Sequence, residues 1–535
     1  CDYGCDYDFV IVGSGAGSVL ANRLSEIPKY RVLLVDAGDN PTDDSRIPVK
    51  FATLTNSPMD WNFTSEVEPA SISQQNNRFK VSAGKVLGGS SAINHLIHLR
   101  GVPEDFDYIA TLLNDPSWKY ENMLHYFKKS ENVNDDAMMN SKYQVFHGSQ
   151  GPINLTRQIY DISEELINAF AELGHPINPD INSGNLTGYG YSQYIIDLVR
   201  QDTAGTYILS ARDRPNLDIL RNAFVTKINI VDKVATGVQL VLNNKTMTIK
   251  ANKEVIVCAG AINSPVLLML SGIGPKDLLE KHDIPVIMDL PVGHNLQEHV
   301  AVPVIHKLDF STAPVSPSSL DQFFPTILGS VIIDDNKKVP QYQTINSYFE
   351  HDTDSLLGAC SVIFALKFEI CKMFVSESVG RNTLFSAIAI YNPDSRGSVA
   401  IQSSDPYVHP KIKLNFYKNS TDLTNMGRYI EDFLRINNST LFNNLGAEVI
   451  RPEIPGCKAS YWECYAMAHT VNMYHPTSTC PMGTVLDSSA NVKGVERLRV
   501  VDASSLPKIP TANPLAAIVA VAEKISDVIK RDYLC

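Results

Sequence analysis

The stretch Tyr7-Asp-Phe-Val-Ile-Val-Gly-Ser-Gly-Ala-Gly-Ser18 decides the fold. It begins with a short apolar run that ends at a glycine, which is typical of a strand buried in a parallel sheet. Three glycines follow at alternate positions, and Ser18–Ser25 then repeats apolar residues at helical spacing. Arg31–Asp36 reads as a second buried strand that closes on an acid. The segment therefore predicts a β-turn-α-β unit.

The glycine turn predicts a site for the pyrophosphate of a dinucleotide. Backbone N–H groups at a helix N-terminus bind such a group, and Gly13, Gly15 and Gly17 let the chain approach it closely. The spacing is one residue shorter than G-x-G-x-x-G, unless Ser18 takes the third place. Asp36 lies about 20 residues past the turn, where a carboxylate accepts hydrogen bonds from ribose hydroxyls. A purely structural turn is the alternative, and the strands, helix and acid in register argue against it.

The bulk composition is that of a globular chain, with 44% hydrophobic and 19% charged residues among 535. Its net charge of −12, without a long Lys/Arg cluster, argues against nucleic acid and membrane surfaces as partners. No apolar run reaches the roughly 20 residues that a bilayer crossing needs. The stretch from about Leu308 to Pro340 is rich in Ser, Pro, Asp and Phe, which predicts irregular structure.

Asn-x-Ser/Thr sequons indicate a secreted, extracellular glycoprotein. Most lie in polar stretches typical of surface loops, and only one of the adjacent Asn437 and Asn438 has room for a glycan. The predicted glycosylation sites are Asn62, Asn154, Asn185, Asn244, Asn419 and Asn438.

The nine cysteines also favour export. The spacings of Cys360/Cys371 and Cys457/Cys464 fit short disulfide loops. A zinc site is the alternative, but no Cys-x-x-Cys pair supports it. The remaining cysteines divide into two interior thiols and three near the termini that could be tied together: Cys258 and Cys480, and Cys1, Cys5 and Cys535.

Five further motifs resemble landmarks of the glucose–methanol–choline (GMC) oxidoreductases, in the order of that family. They are Gly84-Lys-Val-Leu-Gly-Gly-Ser-Ser-Ala-Ile-Asn94, Gly260-Ala-Ile-Asn-Ser-Pro-Val-Leu-Leu-Met-Leu-Ser-Gly-Ile-Gly274, Val292-Gly-His-Asn-Leu-Gln-Glu-His299, Pro393-Asp-Ser-Arg-Gly397 and Arg499-Val-Val-Asp-Ala-Ser504. The resemblance covers essentially the whole chain and is thin between about 300 and 380. It implies an α/β fold with two domains. A Rossmann-like FAD-binding domain is expected from 1–155, 220–300 and 465–535, and an α+β substrate-binding domain with an antiparallel sheet from 156–219 and 301–464.

The resemblance implies FAD as the cofactor. Ile93 stands where the choline oxidases carry the histidine that links to the flavin, so we expect non-covalent FAD. Asn94 is expected close to the isoalloxazine, Asp502 near the pyrophosphate and ribityl chain, and the backbone of Val225 at the adenine. The expected FAD contacts are Gly13, Gly15, Gly17, Ser18, Asp36, Ala37, Gly84, Val86, Gly88, Gly89, Ser90, Asn94, Val225, Asp502, Ala503, Asn513 and Pro514.

His475-Pro-Thr-Ser-Thr-Cys-Pro-Met-Gly483 resembles the catalytic-histidine motif of the family, and Asn513 takes the place of its partner. An Asn-Pro pair is otherwise a plain helix start, and Leu515–Lys530 does read as a helix. An alcohol would lose a hydride from its carbinol carbon to flavin N5 and its hydroxyl proton to a neutral His475. Asn513 would hydrogen-bond the developing alkoxide. Reduced flavin would then pass electrons to O2, giving H2O2, or to another acceptor.

The wording of the motifs resembles arthropod members of the family, which include secreted oxidases of small aromatic alcohols and of cyanohydrins such as mandelonitrile. We therefore expect a small, partly aromatic alcohol or cyanohydrin as substrate, in a pocket lined by aromatic and Leu/Ile residues from roughly 310–465. Three alternatives remain: a hydroxynitrile lyase, a dehydrogenase with a quinone or protein acceptor, and a flavoprotein without catalysis. Asn513 in place of a second histidine argues against the lyase, and the intact pair argues against lost catalysis.

Overall fold

The predicted β-turn-α-β unit is present at the beginning of the chain. In the computed structural model, which describes residues 6–309, 325–334, 336–351 and 353–534, Tyr7–Val12 is a largely buried strand. Helix Gly15–Ser25 follows, and strand Val32–Val35 lies parallel to the first strand. The helix begins before Ser18 because the glycine turn itself supplies the first helical turn.

A sheet of seven strands within the described residues is built on this unit. Its central part is parallel, with Tyr7–Val12 between Val32–Val35 and the long strand Lys245–Val257. An antiparallel extension continues from the long strand. The strands of this first sheet are Tyr7–Val12, Val32–Val35, Leu217–Leu220, Ala223–Val231, Val234–Leu242, Lys245–Val257 and Leu498–Val500. Carboxyl ends of parallel strands meet at one edge of a sheet, so the residues that follow these strands lie together.

A second sheet is antiparallel throughout its described strands. Helices Asp161–Glu172 and Ser420–Phe433 bury apolar residues in the same core cluster as its strands. The strands are Gly188–Tyr191, Val300–Leu308, Thr326–Val331, Tyr342–Phe349, Asn382–Ile390, Glu448–Val449 and Val471–Asn472. A parallel-sheet domain and an antiparallel-sheet domain of an α/β protein are thus both present, as the sequence predicted.

The expectation of irregular structure between Leu308 and Pro340 is wrong in part. Thr326–Val331 is a strand, paired with Gly188–Tyr191 and Tyr342–Phe349. All its residues are buried, so the sequence lacks the polar–apolar alternation that would have indicated a half-exposed strand. Residues 310–324 and 335, which fall in the same stretch, lie outside the described residues.

The predicted domain boundaries are close to the ends of the two sheets but do not coincide with them. Strand Leu217–Leu220 belongs to the first sheet, although it begins before the boundary at 220. Strand Val471–Asn472 pairs with Val300–Leu308 of the second sheet, although it lies inside 465–535. The division into domains therefore stays a prediction.

The remaining α-helices of at least four described residues complete the fold. They are Asp43–Arg46, Pro103–Leu113, Tyr120–Ser130, Asp136–Met139, Gly260–Leu270, Lys276–Lys281, Ser355–Gly358, Phe368–Glu377, Thr440–Asn444, Tyr461–His469 and Leu515–Leu534. The last confirms the predicted helix Leu515–Lys530 and extends it. Among the described residues no helix has the length and apolar character needed to cross a membrane.

Both predicted short disulfides are formed. Cys360 is bonded to Cys371 and Cys457 to Cys464. Cys258 and Cys480 are buried free thiols, as predicted, and burial raises the pKa of each well above its usual value. Cys1, Cys5 and Cys535 lie outside the described residues.

Candidate active site

A cavity of about 920 Å³ lies at the carboxyl edge of the parallel strands and extends to the second sheet. Its wall includes Gly13, Asp36 and Cys258, each of which directly follows a strand of the first sheet, and Ile345 of the second sheet. This volume lies at the upper end of what ligand pockets provide, so a large cofactor and a small substrate are suitable occupants.

Most of the predicted site residues lie in the wall of this one cavity. The structure brings together Gly13, Gly15, Asp36, Ala37, Gly84, Gly89, Ser90, Asn94, Val225, His475, Asp502, Ala503, Asn513 and Pro514. These residues are distant in the sequence. They lie close together because the segments that contain them meet at the carboxyl edge of the first sheet.

Gly17, Ser18, Val86 and Gly88 are not in that wall, and their assignment to the cofactor stays a prediction. A Cβ at Gly17 would lie 2.9 Å from Cγ2 of Ile11, which shows that this glycine lets the helix pack on the first strand. The Ser18 hydroxyl donates to the carbonyl of Ser14 inside the helix.

Ser14 explains the positions of Val86 and Gly88. Its hydroxyl lies 3.2 Å from the Val86 carbonyl and accepts from Gly88 N at 2.8 Å. Through these contacts Val86 and Gly88 join the segment Gly84–Asn94 to the glycine turn, and neither residue lines the cavity. Sequence reasoning passed over Ser14, which looked like the variable residue between two glycines.

The glycine turn fits a pyrophosphate. Gly13 has φ +95°, and a Cβ there would lie 2.4 Å from the carbonyl oxygen of Cys258, so only glycine is tolerated. A Cβ at Gly15 would meet nothing closer than the Gly88 carbonyl at 3.9 Å, which leaves open space in the cavity at the start of the helix. Unpaired N–H groups of a first helical turn bind an anion in such a place.

Asp36 has a second role that the sequence did not show. Its Oδ2 accepts from the backbone N of Ser14 at 3.0 Å and from the Ser14 hydroxyl at 2.5 Å, while Oδ1 accepts from Gly38 N at 2.7 Å. The carboxylate thus fastens the glycine turn to the second strand. It also lines the cavity, where its remaining lone pairs can accept from ribose hydroxyls as predicted.

His475 and Asn513 meet across the cavity. His475 follows strand Val471–Asn472, and Asn513 stands just before helix Leu515–Leu534. His475 Nε2 lies 3.2 Å from Asn513 Nδ2. The two residues that the sequence singled out are therefore within hydrogen-bond distance.

A chain of hydrogen bonds determines which nitrogen of His475 is basic. His299 Nε2 lies 3.0 Å from the carbonyl oxygen of Tyr391, which can only accept, so Nε2 of His299 carries the proton. In a neutral His299, Nδ1 is then an acceptor, and it lies 2.9 Å from Nδ1 of His475. His475 must donate from Nδ1, which leaves its Nε2 unprotonated. Asn513 matches this direction, since its Nδ2 donates to Nε2 and its Oδ1 accepts from Gln343 Nε2 at 3.3 Å.

The surroundings keep this histidine neutral. Burial, with the positive charge that His299 and His95 would carry, lowers the pKa of His475 well below its ordinary value. Burial also lowers the pKa of His299 to about 4. Glu298, whose carboxyl accepts from the backbone N of His475 at 2.8 Å, has its pKa raised by burial to about 8. A neutral acid and a neutral second imidazole are therefore hydrogen-bonded to His475.

His299 and Gln343 are the functional residues that sequence reasoning missed. His299 is the last residue of the motif Val292–His299, so the sequence contained a signal for this residue, but the motif did not indicate a catalytic role for it. Gln343 lies in a strand of the second sheet without any motif around it.

The range 310–465, from which the apolar lining of the pocket was expected, is too narrow. Aromatic residues in the cavity wall are Trp61, Phe63, Phe224, Tyr407 and Tyr474. Among the described residues between 310 and 465, only Ile345 and Tyr407 are aromatic or Leu/Ile residues of that wall. The cavity combines the cofactor and substrate regions, so its lining draws on segments along the whole chain.

The predicted glycosylation sites differ in accessibility. Asn185, Asn419 and Asn438 are exposed, and Asn62 and Asn244 are exposed at the rim of the cavity. Asn154 is part-buried in a strand, where its Nδ2 donates to Asp197 at 2.7 Å, a bond that a glycan would break.

Comparison with known proteins agrees with this geometry. The chain matches the two sequence regions described as GMC oxidoreductase over residues 7–301 and 393–522. It is 33% identical to "Ecdysone oxidase" of Bombyx mori over 555 residues, covering 99% of this chain and 82% of that protein. It is 32% identical to "Glucose dehydrogenase [FAD, quinone]" of Drosophila melanogaster over 563 residues, covering 99% of this chain and 87% of that protein.

A solved structure shares the fold over its full length. Pyridoxine 4-oxidase from Mesorbium loti superposes with a TM-score of 0.84 at 26% identity, and the superposition covers 99% of both chains. The family match and the dinucleotide cradle, which opens onto a neutral histidine beside an asparagine amide, together identify an FAD-dependent oxidoreductase acting on alcohols. This chain belongs to the GMC oxidoreductase family.

Proposed function

We propose that the chain is an oxidase of small, partly aromatic alcohols or cyanohydrins such as mandelonitrile, with O2 as the electron acceptor and H2O2 as the product. The observation that carries the proposal is the contact of His475 Nε2 with the Asn513 amide in the cavity wall, on the ring nitrogen that is not bonded to His299. Two of the similar proteins are oxidases by name, ecdysone oxidase and pyridoxine 4-oxidase.

The residues of the chain divide the work of alcohol oxidation. FAD, when bound, accepts the hydride of the carbinol carbon and delivers the electrons to O2. His475 takes the hydroxyl proton on Nε2, since Nδ1 is committed to His299. In the substrate-free site one Asn513 N–H donates to His475 Nε2; a substrate hydroxyl that donates to Nε2 replaces this bond, and the Nδ2 N–H groups of Asn513 are then available to the substrate oxygen. As that oxygen gains negative charge, the bond strengthens and stabilises the transition state.

A ring-shaped substrate is supported by the aromatic groups near the base. The His95 ring packs edge-on to Phe51 and to Tyr474, with centroids 5.0 Å and 6.0 Å apart. His95 and Tyr474 line the cavity, and Tyr474 directly precedes His475. Aromatic side chains in the same cavity wall as the base support a substrate with an aromatic ring next to its carbinol carbon.

We further propose that FAD is held without a covalent bond and that the protein is secreted and glycosylated. Ile93, which lacks a nucleophilic side chain, lies in the cavity wall at the position of the linking histidine. Two disulfides and several exposed sequons suit an oxidising, extracellular environment. Acid precipitation should release yellow flavin into the supernatant, and glycosidase treatment of protein secreted by eukaryotic cells should lower its mass.

The test of the activity follows the visible spectrum of the holoenzyme without oxygen while benzyl alcohol or mandelonitrile is added. Bleaching of the flavin bands shows hydride transfer, and H2O2 on readmission of air shows an oxidase. Bleaching without reoxidation by O2 indicates a dehydrogenase instead. Flavin that stays oxidised while mandelonitrile is cleaved to aldehyde and cyanide assigns a lyase and overturns the proposal.

His475→Ala tests the assigned base. We expect the rate of flavin reduction to fall by about 10²- to 10⁴-fold, the usual contribution of a general base, with FAD still bound. Reduction at the wild-type rate in this variant would remove His475 from the mechanism.

A further inference from the structure

Arg200 is a buried cation that makes no direct ion pair within the described part of the chain. It is 3% exposed, and the acid whose charge acts on it is the buried Asp202, whose carboxyl accepts from Ala204 N at 2.9 Å and from Gly205 N at 2.8 Å. Its Nε donates to the Ser45 carbonyl at 2.8 Å. Nη1 donates to the carbonyls of Ser91 at 3.2 Å and Asn94 at 2.8 Å, and Nη2 has no partner within the described residues. Burial of a charge is costly unless the charge is paired or hydrogen-bonded, and here three carbonyl oxygens provide most of that compensation.

The charge of Arg200 acts most directly on the segment Ser91–Asn94 of the cavity wall, beside which the isoalloxazine is expected. Ser91 and Asn94, which accept from Arg200, both line the cavity, whereas Arg200 lies behind them and does not. Burial lowers the pKa of Arg200 to about 10, so it is still charged at neutral pH. The positive charge of Arg200 therefore lies next to two residues of the cavity wall, and because Arg200 is buried, water screens this charge little.

Arg200 also decides how the Asn94 amide is turned. The Asn94 Oδ1 accepts from Arg200 Nη1 at 2.6 Å and from Leu96 N at 3.1 Å, which uses both lone pairs of that oxygen. A flipped amide would place N–H groups against N–H groups, so this orientation is the only one that satisfies the bonds. The Nδ2 group of Asn94 has no partner in the described part of the chain, and its residue faces the cavity.

We propose that Arg200 is a positioning residue for the flavin: it turns the Asn94 amide so that its N–H groups face the isoalloxazine, and its charge stabilises the ring when the ring gains electrons. The inference rests on FAD as the cofactor and holds for any alcohol substrate. Carbonyl and nitrogen acceptors of the ring would receive the Asn94 N–H groups. Loss of the guanidinium would leave the amide free to turn and the reduced ring without its nearby cation.

The experiment measures the two-electron midpoint potential of the flavin in the purified holoenzyme. Arg200→Met should lower the reduction equilibrium constant about tenfold, a shift of about 30 mV to more negative potential. Arg200→Lys keeps the positive charge but loses the planar guanidinium with its several N–H donors. The potential of this variant should therefore lie between those of Arg200→Met and the wild type. Asn94→Ala should also shift the potential negative. The double variant should shift it by less than the sum, because Arg200 acts partly through Asn94.

Arg214→Met is the matched control. Its guanidinium also donates to a carbonyl, that of Asn22, and to the Ser25 hydroxyl at 2.8 Å, but none of these residues lines the cavity. This variant should keep the wild-type potential. A wild-type potential in Arg200→Met overturns the proposal. If that variant does not retain FAD, a wild-type potential in Asn94→Ala overturns it, since the proposal requires the amide to face the ring.

Discussion

His475 has hydrogen-bond partners on both ring nitrogens, and neither partner is an acid. A carboxylate partner would stabilise the imidazolium and hold a proton on the base before substrate arrives. His299 instead only accepts, because its own proton is committed to the Tyr391 carbonyl. The arrangement fixes the tautomer of His475 and keeps it neutral, which is the state that takes a proton from an alcohol.

Replacement of His299 by Phe should therefore slow the chemistry without removing the base. The ring volume is kept, but the acceptor for Nδ1 of His475 is lost, so the imidazole can rotate and change tautomer. We expect the rate of flavin reduction by alcohol to fall about 10- to 100-fold, a part of what a general base contributes. Anaerobic stopped-flow measurement of flavin reduction provides the rate, and FAD content should be unchanged.

His306→Phe is the control for that variant. His306 is also fully buried and also uses Nε2 for a hydrogen bond, to Asn437 Oδ1 at 3.0 Å, but it does not line the cavity. Its replacement should leave the reduction rate close to that of the wild type. Equal losses in both variants would show a general structural effect and remove His299 from the mechanism.

At the scale of elements, the three glycines of the first turn perform three different tasks. Gly13 adopts a left-handed backbone against Cys258, Gly15 leaves space in the cavity, and Gly17 lets the helix pack on Ile11. Gly13 and Gly15 line the cavity, whereas Gly17 does not.

Gly15→Ala should separate cofactor binding from folding. The new Cβ meets no atom of the described structure closer than 3.9 Å, so thermal stability of the apoprotein should be unchanged. It fills the space where the pyrophosphate approaches the helix, and FAD affinity should fall at least tenfold, or about 1.4 kcal/mol. Fluorescence titration of apoprotein with FAD measures the affinity.

Gly358→Ala is the matched control for Gly15→Ala. It ends the helix Ser355–Gly358, and a Cβ there meets nothing within 4 Å. FAD affinity should be that of the wild type. If Gly15→Ala also retains wild-type affinity, the turn does not hold the pyrophosphate.

The disulfide Cys360–Cys371 supports one side of the active site. It joins the helical turn Ala359–Ile363 to helix Phe368–Glu377, and the Ile363 carbonyl accepts from the Tyr474 hydroxyl at 2.5 Å. Replacement of both cysteines by Ser should lower the unfolding free energy by about 2–3 kcal/mol, as for other short loops. Because Tyr474 precedes His475, flavin reduction should also slow.

The second disulfide provides the comparison. Cys457→Ser with Cys464→Ser opens a loop of similar length, and neither cysteine lines the cavity. Denaturant titration should show a comparable loss of stability, while the rate of flavin reduction stays at the wild-type value. A slowed reaction in this variant alone would contradict the role assigned to the first loop.

At the scale of the whole molecule, buried histidines make stability depend on pH. Burial lowers the pKa of His306 to about 4, whereas an unfolded chain has about 6.5. As pH falls below 6.5 the unfolded chain takes up a proton that the folded chain refuses, so this group costs stability on the acid side. The cost grows until pH falls through the folded pKa.

The variant His306→Phe isolates this effect. Relative to the wild type, its unfolding free energy should rise by about 1.4 kcal/mol for each pH unit between 6.5 and 4. Denaturant unfolding of both proteins at pH 7 and pH 5 measures the difference, which should grow by about 2 kcal/mol. A difference that does not change with pH would show that His306 has the same pKa in the folded and the unfolded chain.

Much of the fold could be predicted from the sequence because the patterns that indicate its strands and helices are local. The apolar run before Gly13, the helical repeat after it and the sequence around Leu515 each occupy one short segment, and each became the predicted element. Thr326–Val331 escaped prediction because a strand buried on both faces shows no alternation. A motif shows spacing but not which residues face a ligand, and Gly17 and Ser18 lie outside the cavity wall.

Short-range pattern was enough to predict the β-turn-α-β unit and the glycine turn, and the resemblance of local motifs to the GMC oxidoreductases gave the candidate pair His475 and Asn513. Only the tertiary structure decided which nitrogen of His475 is basic, because the proton on that ring is set by His299, 176 residues away. It likewise decided how the Asn94 amide is turned, since the oxygen is held by Arg200, 106 residues distant. Hydrogen-bond direction depends on partners that meet only after folding, and no local pattern encodes it.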